Sequence, residues 1–200
     1  MSRRALNGQA LLPDSLPVPL AGRSVALVGM MAVGKTNVGR RLAAKLGVPF
    51  RDADAEIERD AGCSIAEMFA RDGEAEFRRR ERQAIARLLA DAPMVLATGG
   101  GAFMDAETRR AMRGKAISIW LRCDLPLLLR RLAACTNRPL LRDGDPAEIL
   151  QRMMAVRHPV YAEADLVLDS MDEDPDATAA RVYAALHKLT GPAAASSRRC

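Results

Sequence analysis

Eight residues near the start of the chain have the make-up of a loop that holds phosphate. Gly29-Met30-Met31-Ala32-Val33-Gly34-Lys35-Thr36 fits the pattern G-x-x-x-x-G-K-[ST]. An apolar run at 24–29 leads into it as a strand, and a helical pattern over 35–46 opens from it, which is the context that pattern needs. Roughly one chain in a thousand of this composition would match the four fixed positions by chance. Glycine at both ends lets the backbone wrap an anion with its N–H groups. The helix N-terminus that follows favours the same charge. On this reading Gly29, Met31, Val33 and Gly34 line the phosphates of a nucleotide; the motif by itself does not separate kinases from GTPases or ATPase motors. Lys35 reaches the β- and γ-phosphates, and the Thr36 hydroxyl ligates Mg²⁺.

Further candidates lie downstream. Arg51-Asp52-Ala53-Asp54 closes a short apolar run at 48–50. Carboxylates at the carboxyl end of a parallel strand point into the ligand crevice. With one residue between them, Asp52 can face a metal and Asp54 an acceptor hydroxyl; the pair can equally be a turn that caps the helix starting at Ala55. In the stretch 69–81, Arg78 and Glu81 are three apart and Phe77 and Glu81 four apart, so they share a helix face. An Arg there can present its fork to a carboxylate, or simply belong to a solvated basic face. Gly99-Gly100-Gly101 follows a strand at 94–98, where a ligand can lie directly on backbone. The stretch 135–144 lacks apolar periodicity, carries Arg138, Pro139, Arg142 and Gly144, and reads as a mobile loop.

The elements that must position these groups alternate along the chain. Strands are expected at 24–29, 48–50, 94–98, 116–122 and 166–169. Helices are expected at 35–46, 65–71, 74–90, 107–112, 125–134, 146–157 and 175–189. Near-continuous apolar strands separated by helices mean a parallel sheet covered on both faces. The fold class is therefore α/β, a P-loop NTPase fold with a five-stranded parallel sheet and a mobile lid. Ser64-Ile65-Ala66-Glu67 is a capping box, and Gly73 stops the helix that it opens. The organisation expected is a Pro-rich flexible leader (1–22), one domain (23–190) and a flexible tail (191–200). Within the domain, acceptor-binding helices fall at about 54–90 and the lid at about 133–145.

Composition narrows the partners. The 200 residues carry net charge +5, and the 30 basic side chains include only four Lys, which leaves 26 Arg. Acids interleave with the Arg and aromatics are scarce, so no nucleic-acid footprint emerges. No run is long and apolar enough for a membrane span. The four Cys lack metal-site spacing, and a reduced, cytoplasmic setting is expected. His158 and His187 read as surface or helix-end residues.

The order of these pieces resembles the shikimate kinase family, of nucleoside-monophosphate-kinase-like fold. The matching parts are 29–36, Asp52-x-Asp54, Gly73-Glu74 through Phe77-Arg78 and Glu81, Gly99-Gly100-Gly101, Arg138-Pro139-Leu140, and Arg157 shortly before Tyr161. The resemblance covers about residues 25–189. It implies transfer of the γ-phosphate of ATP to the 3-hydroxyl of shikimate, with Mg²⁺, in a chain that acts as a monomer. It implies that Asp54 meets the acceptor hydroxyls and that Asp52 acts through the Mg²⁺ shell. Arg78 and Arg157 clamp the shikimate carboxylate, with Glu81 holding Arg78. Gly100 and Gly101 offer amides to the acceptor, and Arg138 swings in on the lid. Phe69, Phe77 and Leu140 wall the pocket, and Arg131 and the loop near Asp174-Pro175 lie against adenine. Two departures stand out: Ala32 where the family often has Gly, and an acidic 169–174 loop where it often has a basic residue. The rival readings are a gluconate kinase on the same core, a nucleoside monophosphate kinase, and a regulatory module that binds nucleotide without a metabolite acceptor.

Overall fold

The computed structural model describes residues 20–91, 93–134 and 145–190. Residues 1–19 of the expected leader, most of the expected lid with Arg138 and Leu140, and the expected tail lie outside the described residues. Leu20, assigned to the leader from the sequence, is buried in the core and accepts a turn hydrogen bond from Arg23 N.

Five strands form one parallel sheet: β1 (Ser24–Val28), β2 (Phe50–Asp52), β3 (Val95–Ala97), β4 (Ala116–Arg122) and β5 (Leu166–Asp169), in the order β2-β3-β1-β4-β5. The inner strands β1 and β3 are wholly buried, as is β4 up to its last residue, which is why they read as unbroken apolar runs. The edge strands β2 and β5 expose Arg51 and Val167. Among the described residues seven α-helices flank the sheet: α1 (Lys35–Leu46), α2 (Ala53–Ala61), α3 (Ile65–Leu88), α4 (Ala106–Met112), α5 (Leu125–Ala133), α6 (Pro146–Tyr161) and α7 (Pro175–Thr190). All strands run the same way, so every carboxyl end opens on one edge. The chain leaves β1 toward β2 and later returns to its other side as β4. That change of direction beside β1 is where open parallel sheets bind ligands.

Local chemistry sets the helix ends near this edge. Asp52 caps α2 by accepting from Asp54 N at 3.2 Å. Ser64 and Glu67 form the expected capping box, with Ser64 Oγ accepting from Glu67 N and Glu67 accepting from Ser64 N. Gly73, at φ 78° and ψ 172°, breaks α3 in two where the sequence separates helices 65–71 and 74–90, and the second of them ends at Leu88.

Three elements differ from expectation. Strand β2 is displaced two residues from 48–50, because pairing to β3 begins at Phe50↔Val95. Helix α2, expected only as the helix from Ala55 that the Asp52/Asp54 pair would cap, starts at Ala53 directly from β2 on the Asp52 cap. Helix α6 runs past 157 and through Pro159 to Tyr161. Tyr161 is fully buried against Trp120, with ring centroids 5.8 Å apart, and this packing outweighs the donor lost at the proline.

Candidate active site

A cavity of about 650 Å³ opens at the carboxyl edge of the sheet. One half is the phosphate loop. The other is built by α2, α3, the glycine run after β3, and α6. Met31, Val33, Gly34, Lys35, Thr36, Asp52, Asp54, Arg78, Gly100, Gly101, Arg131 and Arg157, all site candidates from the sequence, line it together. Gly29 stands behind the loop instead. Its carbonyl accepts from Lys35, and a Cβ on it would meet the Leu121 carbonyl at 2.6 Å.

The Lys35 side chain folds along the loop, and its ammonium donates to the Gly29 and Met30 carbonyls at 2.9 and 2.7 Å. Thr36 Oγ1 donates to Asp52 Oδ2 at 2.7 Å. This places a hydroxyl and a carboxylate side by side at the start of α1. Hard oxygen donors of this kind, completed by phosphate oxygens and water, suit Mg²⁺.

Opposite the loop, Arg78 donates to Glu81 Oε2 at 2.7 Å and to Glu74 Oε1 at 3.1 and 3.2 Å, and its guanidinium lies 5.1 Å from the Phe77 ring centroid. Phe77 in turn stacks on Phe69 at 4.7 Å, and both rings wall the cavity. The glycines are what let these groups converge. A Cβ on Gly101 would sit 2.6 Å from both terminal nitrogens of Arg78. One on Gly99 would sit 2.6 Å from Glu81 Oε1 and 2.8 Å from Asp54 Oδ1. Real Cβ atoms do not approach polar atoms so closely, so larger residues here would push the charged groups apart.

Asp54 Oδ1 and Glu81 Oε1 are buried with no hydrogen-bond partner. Both carboxyls titrate above their ordinary range. For Asp54 the first cause is burial and the second the charge of Asp52, opposed by Lys35. For Glu81 it is burial, opposed by the bond to Arg78. Two acceptor atoms that lack a donor, beside two guanidinium groups, make a site for a molecule carrying both hydroxyls and an anionic group.

On the far side Arg131 ties two loops together. It donates to the Val33 carbonyl at 3.0 Å, to Ser170 Oγ at 2.8 Å and to the Met171 carbonyl at 2.6 Å. Ser170 Oγ also donates to Val33 at 3.1 Å. The acidic loop after β5 is matched by Arg partners: Asp172 to Arg130 and Glu173 to Arg181.

The model of the family described as shikimate kinase matches residues 31–187. The chain belongs to the shikimate kinase family. A shikimate kinase of Paramagnetospirillum magneticum is 55% identical over 165 residues, covering 82% of this chain and 85% of that relative. One of Caulobacter vibrioides is 52% identical over 162 residues, covering 81% of this chain and 80% of the relative. Among solved structures, shikimate kinase from Acinetobacter baumannii in complex with shikimate superposes with a TM-score of 0.80 at 35% identity, over 84% of this chain and 95% of that one. Membership in this family sets aside the gluconate-kinase, nucleoside-monophosphate-kinase and regulatory-module readings.

The structure adds residues that the sequence did not single out for the site. Thr98 lines the cavity while its hydroxyl donates to the Leu27 carbonyl at 3.0 Å. Ser170 braces the phosphate loop from outside it. His158, expected at the surface or a helix end, lies in the last turn of α6, half-buried and edge-on against Trp120 at 4.9 Å, and is pulled below its ordinary pKa by burial. The signal for Ser170 was its place at the end of an apolar strand; its partner in the P-loop is 137 residues away and invisible in sequence.

Ala32 explains its own departure at a cost. It holds φ 60°, in the left-handed region. That conformation strains an L side chain by about 1–2 kcal/mol, part of which is offset because Ala has less unfolded-state freedom than Gly. Ala32→Gly should raise the melting temperature by about 1–3 °C, measured by scanning calorimetry. An unchanged or lower value would show that the loop holds Ala32 without strain.

Proposed function

We propose that the chain transfers the γ-phosphate of ATP to the 3-hydroxyl of shikimate, giving shikimate 3-phosphate and ADP, a step toward chorismate and the aromatic amino acids. The observation that carries this reading is the convergence on Gly99–Gly101 of Asp54, whose buried Oδ1 lacks a hydrogen-bond partner, and two guanidinium groups, Arg78 and Arg157, across one cavity from the phosphate loop.

Phosphoryl transfer asks for positioning and charge neutralisation more than covalent chemistry. The loop backbone and Lys35 hold the donor phosphates. Thr36 and Asp52 would hold Mg²⁺, which when bound neutralises phosphate charge. Arg131 fixes the wall between the phosphate loop and the 170–171 loop, where the nucleoside end of ATP would lie. Arg78 and Arg157 take the acceptor carboxylate from two sides. Asp54 accepts a hydrogen bond from the 3-hydroxyl, aims that oxygen at the γ-phosphorus and receives its proton as the new bond forms. Arg138, on the segment outside the described residues, is proposed to oppose the charge on the transferring group. The acceptor groups named here all come from a single chain, which fits action as a monomer. Among the described residues no helix is long and apolar enough to cross a membrane. Reliance on ATP and free metabolites suits the cytoplasm.

The test is a coupled ADP-release assay with shikimate, gluconate or no acceptor. Release that depends on shikimate and Mg²⁺ is expected. Release driven by gluconate, or unaffected by either acceptor, would overturn the reading.

A further inference from the structure

The carbonyls of the glycine run are shared out unevenly. Those of Gly99 and Gly101 accept from the backbone of the 3₁₀ turn that follows, from Ala102 N at 3.1 Å and Met104 N at 3.0 Å. The Gly100 carbonyl instead accepts from two side chains of α6: the Tyr161 hydroxyl, and Arg157 Nη1 at 3.3 Å. Arg157 and Tyr161 are four apart on one helix and so lie one above the other on one face. The Tyr161 ring is fully buried and locked against Trp120 and His158, whereas Arg157 is half-buried and lines the cavity. Of the two donors, the tyrosine is therefore the fixed one.

We propose that Tyr161 is a positioning residue for the acceptor clamp: its hydroxyl occupies the Gly100 carbonyl, so the Arg157 guanidinium stays available to the acceptor carboxylate. A carbonyl oxygen has two lone pairs. With the hydroxyl in place the first is filled by a rigid donor, and the long contact of Arg157 is a light tether that leaves its remaining N–H groups to the substrate. Without the hydroxyl, Arg157 is the side-chain donor left to a part-buried carbonyl, and such a group draws its donor in. The guanidinium would then turn toward Gly100 and away from the incoming carboxylate. The Arg157 charge also lies close to the phenol, although burial still pushes the Tyr161 hydroxyl above its ordinary pKa, which keeps it a donor at neutral pH. This inference rests on the reading of Arg157 as a carboxylate clamp.

The experiment is a double-mutant cycle in the full chain, with Tyr161→Phe, Arg157→Ala and the pair, followed by steady-state kinetics in shikimate and in ATP and by thermal melts. Arg157→Ala should raise the KM for shikimate by about 100-fold, since a charged hydrogen bond to the substrate is lost. Tyr161→Phe should raise the same KM about 5- to 10-fold, with kcat and the KM for ATP within twofold of the parent. In the Arg157→Ala background, Tyr161→Phe should change kcat/KM for shikimate by less than twofold, because the residue through which it acts is gone. Equal effects in both backgrounds, or an unchanged KM in Tyr161→Phe, would overturn the proposal. An unchanged KM in Arg157→Ala would instead overturn the clamp on which it rests.

If Tyr161→Phe fails to fold, fluorotyrosine can be incorporated in a Tyr183→Phe background, which labels position 161 alone because the chain has two Tyr. The ring and hydroxyl are kept, but the phenol ionises at lower pH and can then no longer donate to Gly100. The KM for shikimate should begin to rise at a lower pH than in the same variant with ordinary tyrosine. Coincident profiles would overturn the proposal.

Discussion

Replacing Lys35 with Ala should lower turnover by about 10²–10³-fold, comparable with removing a preorganised charge-stabilising donor from other transfer enzymes. Two losses combine. The first is the cation beside the donor phosphates, where charge must be opposed as the γ-phosphoryl moves. The second is internal to the loop. Lys35 as a residue is only 9% exposed and its ammonium donates to the carbonyls of Gly29 and Met30, so truncation deprives two loop carbonyls of a charged donor. Nucleotide affinity should fall as well, by about 10- to 100-fold for a charged hydrogen bond. Lys35→Arg should not restore turnover, because a planar fork cannot replace a compact ammonium inside so tight a loop. Calorimetric titration with a non-hydrolysable ATP analogue, alongside ADP release, separates the two effects. Turnover within tenfold of the parent would contradict the assigned role.

Replacing Asp54 with Asn should have a different signature: turnover lower by about 10²–10⁴-fold, nucleotide affinity unchanged, and a protein more stable than its parent. The stability gain follows from proton linkage. In the unfolded chain Asp54 titrates near 3.8; in the folded protein burial and the Asp52 charge raise it. Between the two values the folded state binds more protons than the unfolded one. The stability associated with the protonated form is thus present at low pH and lost as pH rises through the folded value. At neutral pH the ionised carboxylate, with Oδ1 lacking a donor, is a net cost. A neutral amide of the same shape removes it, which should raise the melting temperature at pH 7 by about 2–4 °C, or about 1 kcal/mol. The advantage should vanish toward pH 4. Activity runs the other way. The carboxylate must be ionised to accept the proton, so kcat/KM in the parent should fall with acid at a pH above the ordinary aspartate range. Turnover in Asp54→Asn close to that of the parent would exclude Asp54 as the acceptor-side base.

Much of this arrangement could be read from the residues in order. The strands now seen as β1, β4 and β5 and the helix α1 were legible because each is either continuously apolar or opened by unmistakable chemistry, the Gly-Lys-Thr of the phosphate loop above all. The Arg78–Glu81 pair was legible because a spacing of three on a helix is a local fact. What could not be read depends on packing between distant parts. Strand β2 slid two residues because its register belongs to β3. Pro159 failed to end α6 because Tyr161 is gripped by Trp120. The convergence of Asp54 and Glu81 on Gly99 needs three elements, and no periodicity within any one of them announces it. Tyr161 appeared in the sequence only as a marker after Arg157; its hydroxyl matters through a carbonyl 61 residues earlier in the chain.

Helices α2 and α3 join the main core at one end each, through Ala53 and through Ile85 and Leu88. Ile57, Met68, Phe77 and Ala84 close a small cluster of their own, apart from the one that clothes the sheet. A body held by so few buried side chains opens at a lower free energy than the strands beside it. Its amide protons should therefore trade with solvent deuterium long before those of β1. The enzyme thus has a stiff half that grips the donor and a softer half that breathes around the acceptor. Arg78, seated on the soft part against Gly101 just past the end of β3, is where a bound acid would quiet that breathing.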